Sequence, residues 1–251
     1  MASIYLIRHG QASFGHDDYD KLSETGVEQA QTLGTSLALK MSQPTKVITG
    51  SMLRHKQTAQ GALAAFESST EAASTHASTH ASVIENATPY SMQEDARWNE
   101  YAHQEILGAF DERFETPAGI RAFLKTSEQP QKQFLHLFNQ AVARWMSGDF
   151  DADYSETWMA FKSRLQAALA SVVSALEDKD EVLIFTSGGP ISLLAQAHLG
   201  VPETQLMQMN WTLVNCGITK LIQSRQGVFV AALNEHSVFE KPAHRHLITY
   251  K

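Results

Sequence analysis

The chain has 251 residues, 43% of them apolar, with a formal net charge of −7 and an isoelectric point near 5.9. That length suits one large α/β domain, or a core domain with a substantial insertion; the acidic balance argues against a general nucleic-acid binder, which needs a basic face, though a local basic pocket is still allowed. The one cysteine, Cys216, excludes an internal disulfide and a thiol metal cluster and fits a reducing compartment. No apolar run approaches the roughly 18 residues that span a bilayer. No charged region with an apolar stretch precedes the first strand-like segment, so no secretory signal is expected and the sequence reads as cytoplasmic.

Ile4-Tyr5-Leu6-Ile7 reads as a short buried strand that stops at Arg8-His9-Gly10. In an open α/β sheet, ligands bind where strands end at their carboxyl edge, so His9 is expected at a site. An imidazole there can attack phosphorus and carry the phosphoryl group covalently. Arg8 offers a planar fork to phosphate oxygens, and Gly10 lets the backbone approach a ligand closely. After a polar loop, Ser23 caps a helix whose Val27, Ala30, Leu33, Leu37 and Met41 form one apolar face. Lys46 to Gly50 reads as a second strand, and Ser51-Met52-Leu53-Arg54 opens a helix running to about Phe66. Strand and helix alternate, which implies parallel pairing.

Residues 67–88 are rich in Ser, Thr and Ala and repeat Ala-Ser-Thr-His, so a mobile loop insertion is expected; His76 and His80 are read as solvated rather than as a metal pair. Tyr90 to Gln93 is a candidate third strand leading to Arg97-Trp98-Asn99-Glu100. Residues 101–153 look helical, with an apolar stripe of Phe134, Leu135, Phe138, Val142, Trp145 and Met146 ended by Gly148. This segment is expected to be a helical cap insertion within a single domain, 1–251. Asp153, with Glu156 in capping-box position, is expected to start the next helix. Val182 to Phe185 suits a central parallel strand. It ends at Thr186-Ser187-Gly188-Gly189-Pro190, where the amides of a following helix make an anion site. Segments 217–222 and 228–233 read as a closing hairpin, and a polar tail carries His244, Arg245 and His246.

Several of these segments together resemble the histidine phosphatases, the phosphoglycerate-mutase-like proteins. The resemblance runs through Leu6-Ile7-Arg8-His9-Gly10, Leu22-Ser23-Glu24-Thr25-Gly26 with Gln29-Ala30, Ser51-Met52-Leu53-Arg54 with Gln57-Thr58-Ala59, and the strand followed by paired glycines. It implies an α/β fold: a mostly parallel sheet sandwiched by helices, with a helical cap. It also implies His9 as the nucleophile, Arg8 and Arg54 as phosphoryl clamps, and Glu100 as the acid that protonates the leaving oxygen and then activates water. Ser187 and Gly188 would contact phosphate; no metal or other cofactor is implied. The expected ligand is phosphate or a small phosphorylated substrate, with neither nucleic acid nor membrane as a partner.

The sequence departs from the family at Ser187, where a second histidine is usual just before the paired glycines. A serine hydroxyl is a shorter, neutral donor, and losing one preorganised donor costs about 10²–10³ in rate. His16, His55 and His236 are candidates to take its place, a surface position being the ordinary expectation for each. Two functions follow from the resemblance: a phosphomonoester hydrolase working through a phosphohistidine at His9, or a binding protein of the same fold whose catalysis is impaired. Mutase activity is less expected, because transfer to a second hydroxyl needs a more highly organised pocket.

Overall fold

The structure is a computed structural model that describes residues 1–13, 20–75 and 91–250. It forms two compact units: one comprises Met1–Asn99 and Ala170–Lys251, the other Glu100–Leu169.

The first unit is built on β1 (Ala2–Arg8), α1 (Glu24–Ala38), β2 (Lys46–Thr49), α2 (Leu53–Thr75) and β3 (Met92–Glu94). The second holds α3 (His103–Phe110), α4 (Pro117–Thr126) and α5 (Pro130–Ser147), and α6 (Trp158–Ser174) leads back to the first. The first unit resumes with β4 (Glu181–Thr186), α7 (Gly188–Leu199), α8 (Leu206–Thr212), β5 (Ile218–Ser224) and β6 (Gly227–Glu235).

The six strands form one sheet in the order β3-β2-β4-β1-β5-β6. β1 to β4 pair in parallel, and β5 and β6 add an antiparallel hairpin beside β1. The expected α/β fold, a mostly parallel sheet flanked by helices, is the fold observed. β1 and β4 bury both faces, as their near-continuous apolar sequences require. Tyr5, Ile7, Leu183 and Phe185 join the Ala30, Leu33, Leu37, Leu63 and Phe66 side chains of α1 and α2 in one core. Ile4, Leu6, Val182 and Ile184 alternate to the opposite face and are buried too. The register sets Arg8 beside Thr186 and Thr49 beside Phe185. The loops after β1, β2 and β4 therefore leave the same edge of the sheet.

Several local expectations change. Ser23 does cap α1, accepting the Gly26 amide, but Val27 is 44% exposed; one turn from the cap it lies off the stripe that Ala30, Leu33 and Leu37 bury. α2 runs on past Phe66 to Thr75, into the segment expected to be a loop, because Ser, Thr and Ala there permit a helix even though they bring little apolar surface. Residues 76–90, with His76, His80 and Tyr90, lie outside the described residues, and the strand there is seen as Met92–Glu94. Asp153 does not start α6. It sits in a 3₁₀ turn and pairs with Arg144, Glu156 pairs with Arg164, and the Thr157 hydroxyl accepts the Ala160 amide at 3.1 Å instead.

In the second unit Phe138, Val142 and Trp145 are buried, whereas Leu135 on the same stripe is largely exposed. Trp145 packs against Tyr101 and Trp158 at ring-centre distances of 5.2 and 5.1 Å. Its indole N–H donates to the Glu156 carbonyl at 2.8 Å. Gly148 ends α5 at φ +76, in the left-handed region that a C-terminal glycine adopts without strain.

Candidate active site

His9 follows the last residue of β1, its amide donating to the Thr186 carbonyl at 2.9 Å. The side chain is 7% exposed. Its Nδ1 lies 2.7 Å from the Gly10 carbonyl oxygen. A carbonyl can only accept, so Nδ1 carries the hydrogen and Nε2 keeps its lone pair. Burial first, then the charges of Arg54 and Arg8, hold the imidazole well below the usual histidine range. His9 is therefore neutral near pH 7, with Nε2 in its nucleophilic form.

The backbone around it is fixed from three directions. The Gly10 amide donates to Thr58 Oγ1 at 3.0 Å, and that hydroxyl donates to the Arg54 carbonyl at 2.6 Å. Asn215 Nδ2 donates to the His9 carbonyl at 3.0 Å. Gln29, fully buried, accepts the Gln11 amide at 2.7 Å and donates to the Leu247 carbonyl and Thr249 hydroxyl, both at 2.7 Å. The loop after His9 packs so tightly on α1 that a Cβ on Gly10 would fall 2.5 Å from the Gly26 carbonyl oxygen.

Both arginines of the sequence motifs are here. Arg54, 5% exposed, opens α2 and donates from Nη1 to Asp20 Oδ1 at 2.6 Å. The other Asp20 oxygen accepts the Leu53 amide at 2.7 Å, so one carboxylate holds both the helix start and the guanidinium. Arg8 is half-buried and donates from Nη1 to the Leu213 carbonyl and from Nη2 to the Tyr250 carbonyl, the latter at 3.3 Å. Asp20 and Asn215 were not singled out in the sequence; neither sits in a short motif, and their partners lie far along the chain.

Ser187 and Gly188 stand where β4 meets α7, both buried. A Cβ on Gly188 would fall 2.4 Å from Asn210 Oδ1. Ser187 Oγ lies 2.7 Å from Nε2 of His55. The surface position expected for His55 is corrected: it is 0% exposed, because it turns inward from the first turn of α2. His236 is held after β6 by the Asn234 carbonyl at 2.5 Å, with Glu240 3.9 Å away, and His16 is outside the described residues. Glu100 opens the second unit, its Oε1 accepting the Tyr101 amide at 3.2 Å. Among the described residues, no group of three or more His, Cys, Asp or Glu side chains is placed to hold a metal ion.

His9 and the two motif arginines thus stand where β1 and β2 end, at the carboxyl edge of a mostly parallel sheet. The chain belongs to the histidine phosphatase superfamily, branch 1, whose pattern matches residues 4–122 and 121–236. No curated protein matches it. Among solved structures, it resembles YhfR of Bacillus stearothermophilus (TM-score 0.60, 19% identity, 95% of this chain and 99% of the other covered). Phosphoglycerate mutase from Bacillus anthracis aligns with a TM-score of 0.57 and 18% identity, covering 94% of each chain. A mycobacterial glucosyl-3-phosphoglycerate phosphatase solved with VO3 has a TM-score of 0.57 and 19% identity, covering 94% of this chain and all (100%) of the other. At these identities the likeness speaks for the fold. No described helix is long and apolar enough to cross a membrane.

Proposed function

We propose that the chain hydrolyses a small phosphomonoester through a phosphohistidine at His9. The observation that carries this reading is the hydrogen bond from His9 Nδ1 to the Gly10 carbonyl, which leaves Nε2 with its lone pair under the charges of Arg54 and Arg8. Nε2 attacks phosphorus as the bond from phosphorus to the leaving oxygen breaks, and Glu100 gives that oxygen its proton. Water then attacks the phosphohistidine, Glu100 takes its proton back, and the N–P bond breaks to release inorganic phosphate. Arg8 and Arg54 stabilise the charge gathering on the phosphoryl oxygens, and Ser187 with the Gly188 amide contacts them from the start of α7. The helical segment 101–153 is the part that selects the substrate, because an insertion outside the sheet can vary in sequence without disturbing the chemistry.

A second reading is a phosphate-ligand or partner-binding protein of the same fold. It is favoured by Ser187, a neutral hydroxyl where the family usually carries a second histidine. The two separate on hydrolysis of an aryl phosphate by wild type and His9→Ala, from mildly acid to neutral pH. Turnover that vanishes in His9→Ala, with an acid-labile phosphoprotein trapped only in the wild type, supports the hydrolase. Wild-type turnover no higher than that of His9→Ala, with phosphate still bound, supports the binding protein.

A further inference from the structure

The buried pair of His55 and Ser187 joins the start of α2 to the start of α7. Ser187 occupies the N-cap position of α7, yet its side chain caps no helix amide. Its hydroxyl faces His55 Nε2 at 2.7 Å, and both residues are fully buried. The His55 ring centre lies 5.8 Å from that of His9, the planes tilted by 37°. His55 Nδ1 is buried with no hydrogen-bond partner among the described residues. It presses on Gly50, where a Cβ would fall 2.2 Å from it. An apolar side chain of the same volume would fill this space without leaving a ring nitrogen unsatisfied, and a buried orphan of this kind calls for a role beyond packing.

We propose that His55 and Ser187 act as one composite hydrogen-bond donor to the phosphoryl group at His9. The His55 Nε2–H donates to Ser187 Oγ, which turns the hydroxyl hydrogen outward to a phosphoryl oxygen. The inference rests on the reading of His9 as the phosphoryl-accepting nucleophile. It follows from what each group can offer: a hydroxyl that gives its only hydrogen to His55 has none left for a ligand, whereas one that accepts from His55 has its hydrogen to give. Burial, and then the charge of Arg54, keeps the imidazole neutral, so the pair donates a hydrogen bond without adding a positive charge beside the two arginines. The serine alone is a short donor; with an imidazole fixed behind it, the donor is oriented before the ligand arrives. Ser187 is the residue that meets the phosphoryl group, and His55 is a positioning residue acting through it.

The test compares orthovanadate, which adopts the five-coordinate geometry of the transferring phosphoryl group, with inorganic phosphate. Their affinities are measured by calorimetry on the full chain as wild type, His55→Met, His55→Gln, Ser187→Ala and the His55→Met/Ser187→Ala double variant. Folding is followed by thermal melting. His55→Met fills the volume without a donor; His55→Gln puts an amide N–H back toward Ser187. Expected is a loss of about 10²-fold in vanadate affinity for His55→Met and for Ser187→Ala, with a smaller loss, of about 10-fold, in phosphate affinity, because a donor aligned on the transferring geometry serves the tetrahedral anion less well. The double variant should be no weaker than either single one, because the two side chains work as a unit, and His55→Gln should recover most of the loss. Vanadate affinity unchanged in folded His55→Met or Ser187→Ala overturns the proposal, as do additive losses or a phosphate affinity that falls as far as the vanadate affinity. If His55→Met does not fold, His55→Leu, which also lacks a donor, takes its place. A wild type that binds neither anion, with no phosphoprotein trapped, refutes the His9 reading and this proposal with it; a wild type that binds both while the variants match it refutes this proposal only.

Discussion

Gly50→Ala is the sharpest structural perturbation of this site, because it changes one methyl group in a place with no room for it. The new Cβ would lie 2.2 Å from His55 Nδ1, 2.9 Å from its Cε1 and 2.7 Å from Asn99 Oδ1. None of these atoms is the loose end of a flexible side chain. His55 is held by Ser187 at 2.7 Å, and the Asn99 amide is bonded at both ends, accepting the Ser51 amide at 2.8 Å and donating to the Ser51 hydroxyl at 2.6 Å. Forcing a methylene-sized group into a close-packed interior costs about 1–3 kcal/mol, and for a chain of this size each kcal/mol lowers the melting temperature by about 2–4 °C. Relief comes by moving the imidazole, so aryl phosphate turnover should fall as well, by about 10-fold or more if the Ser187 donor loses its alignment. Urea unfolding and steady-state hydrolysis on the same preparation check both effects. A Gly50→Ala protein within about 0.5 kcal/mol of wild type and equally active would refute the claim that the gap at position 50 sets His55.

Other outcomes follow from the same geometry. The folded-state pKa values of His9 and His55 both lie well below the histidine range; between those values and the unfolded value of about 6.5 the unfolded chain binds more protons, so stability is full above that pH and is lost on acidification through the window, by about 1.4 kcal/mol per pH unit for each group. Urea titrations from pH 7 to pH 5 should show a slope smaller by about that one-group amount in His55→Gln, and an unchanged slope would count against a buried neutral His55. Asp20→Ala should destabilise by about 1 kcal/mol through loss of the acceptor at the α2 start and weaken phosphate binding by loosening Arg54, while Asp20→Asn should restore the stability; equal melting of wild type and Asp20→Ala would remove Asp20 from this role. Ser187→His alone should be destabilised by about 1–3 kcal/mol, since a second ring must enter space that His55 fills. Adding His55→Ala should relieve this strain, and a thermodynamic cycle showing no coupling between the two sites would refute the packing argument.

Much of the frame is legible from residue order, for local reasons. Ile4 to Ile7 and Val182 to Phe185 are apolar on both faces, and only strands covered on both sides tolerate that. Ser23 finds its helix amide three residues on, a distance the chain itself sets. The closing hairpin likewise needs only neighbouring residues. Where an expectation rested on one local signal competing with others, tertiary contacts decided it: Asp153 and Glu156 have capping-box spacing, but Arg144 and Arg164 take their carboxylates and leave the cap to Thr157. Val27 has helical spacing relative to the buried stripe, and still faces out.

The site divides along the same line. Arg8, His9 and Arg54 are marked in sequence because each lies in a short stretch at the end of a strand or the start of a helix, where chain geometry carries it to the sheet edge. The setting that gives them their chemistry is long-range: Asp20 on Arg54, Asn215 on the His9 carbonyl, Gln29 tying the loop after His9 to Leu247 and Thr249. His55 shows the division most directly. Its place beside Arg54 is a fact of sequence, and a histidine one residue along a helix could as well have faced solvent. That it is buried against Ser187, 132 positions later, was decided by the pairing of β4 with β2, which brings the start of α7 beside the start of α2.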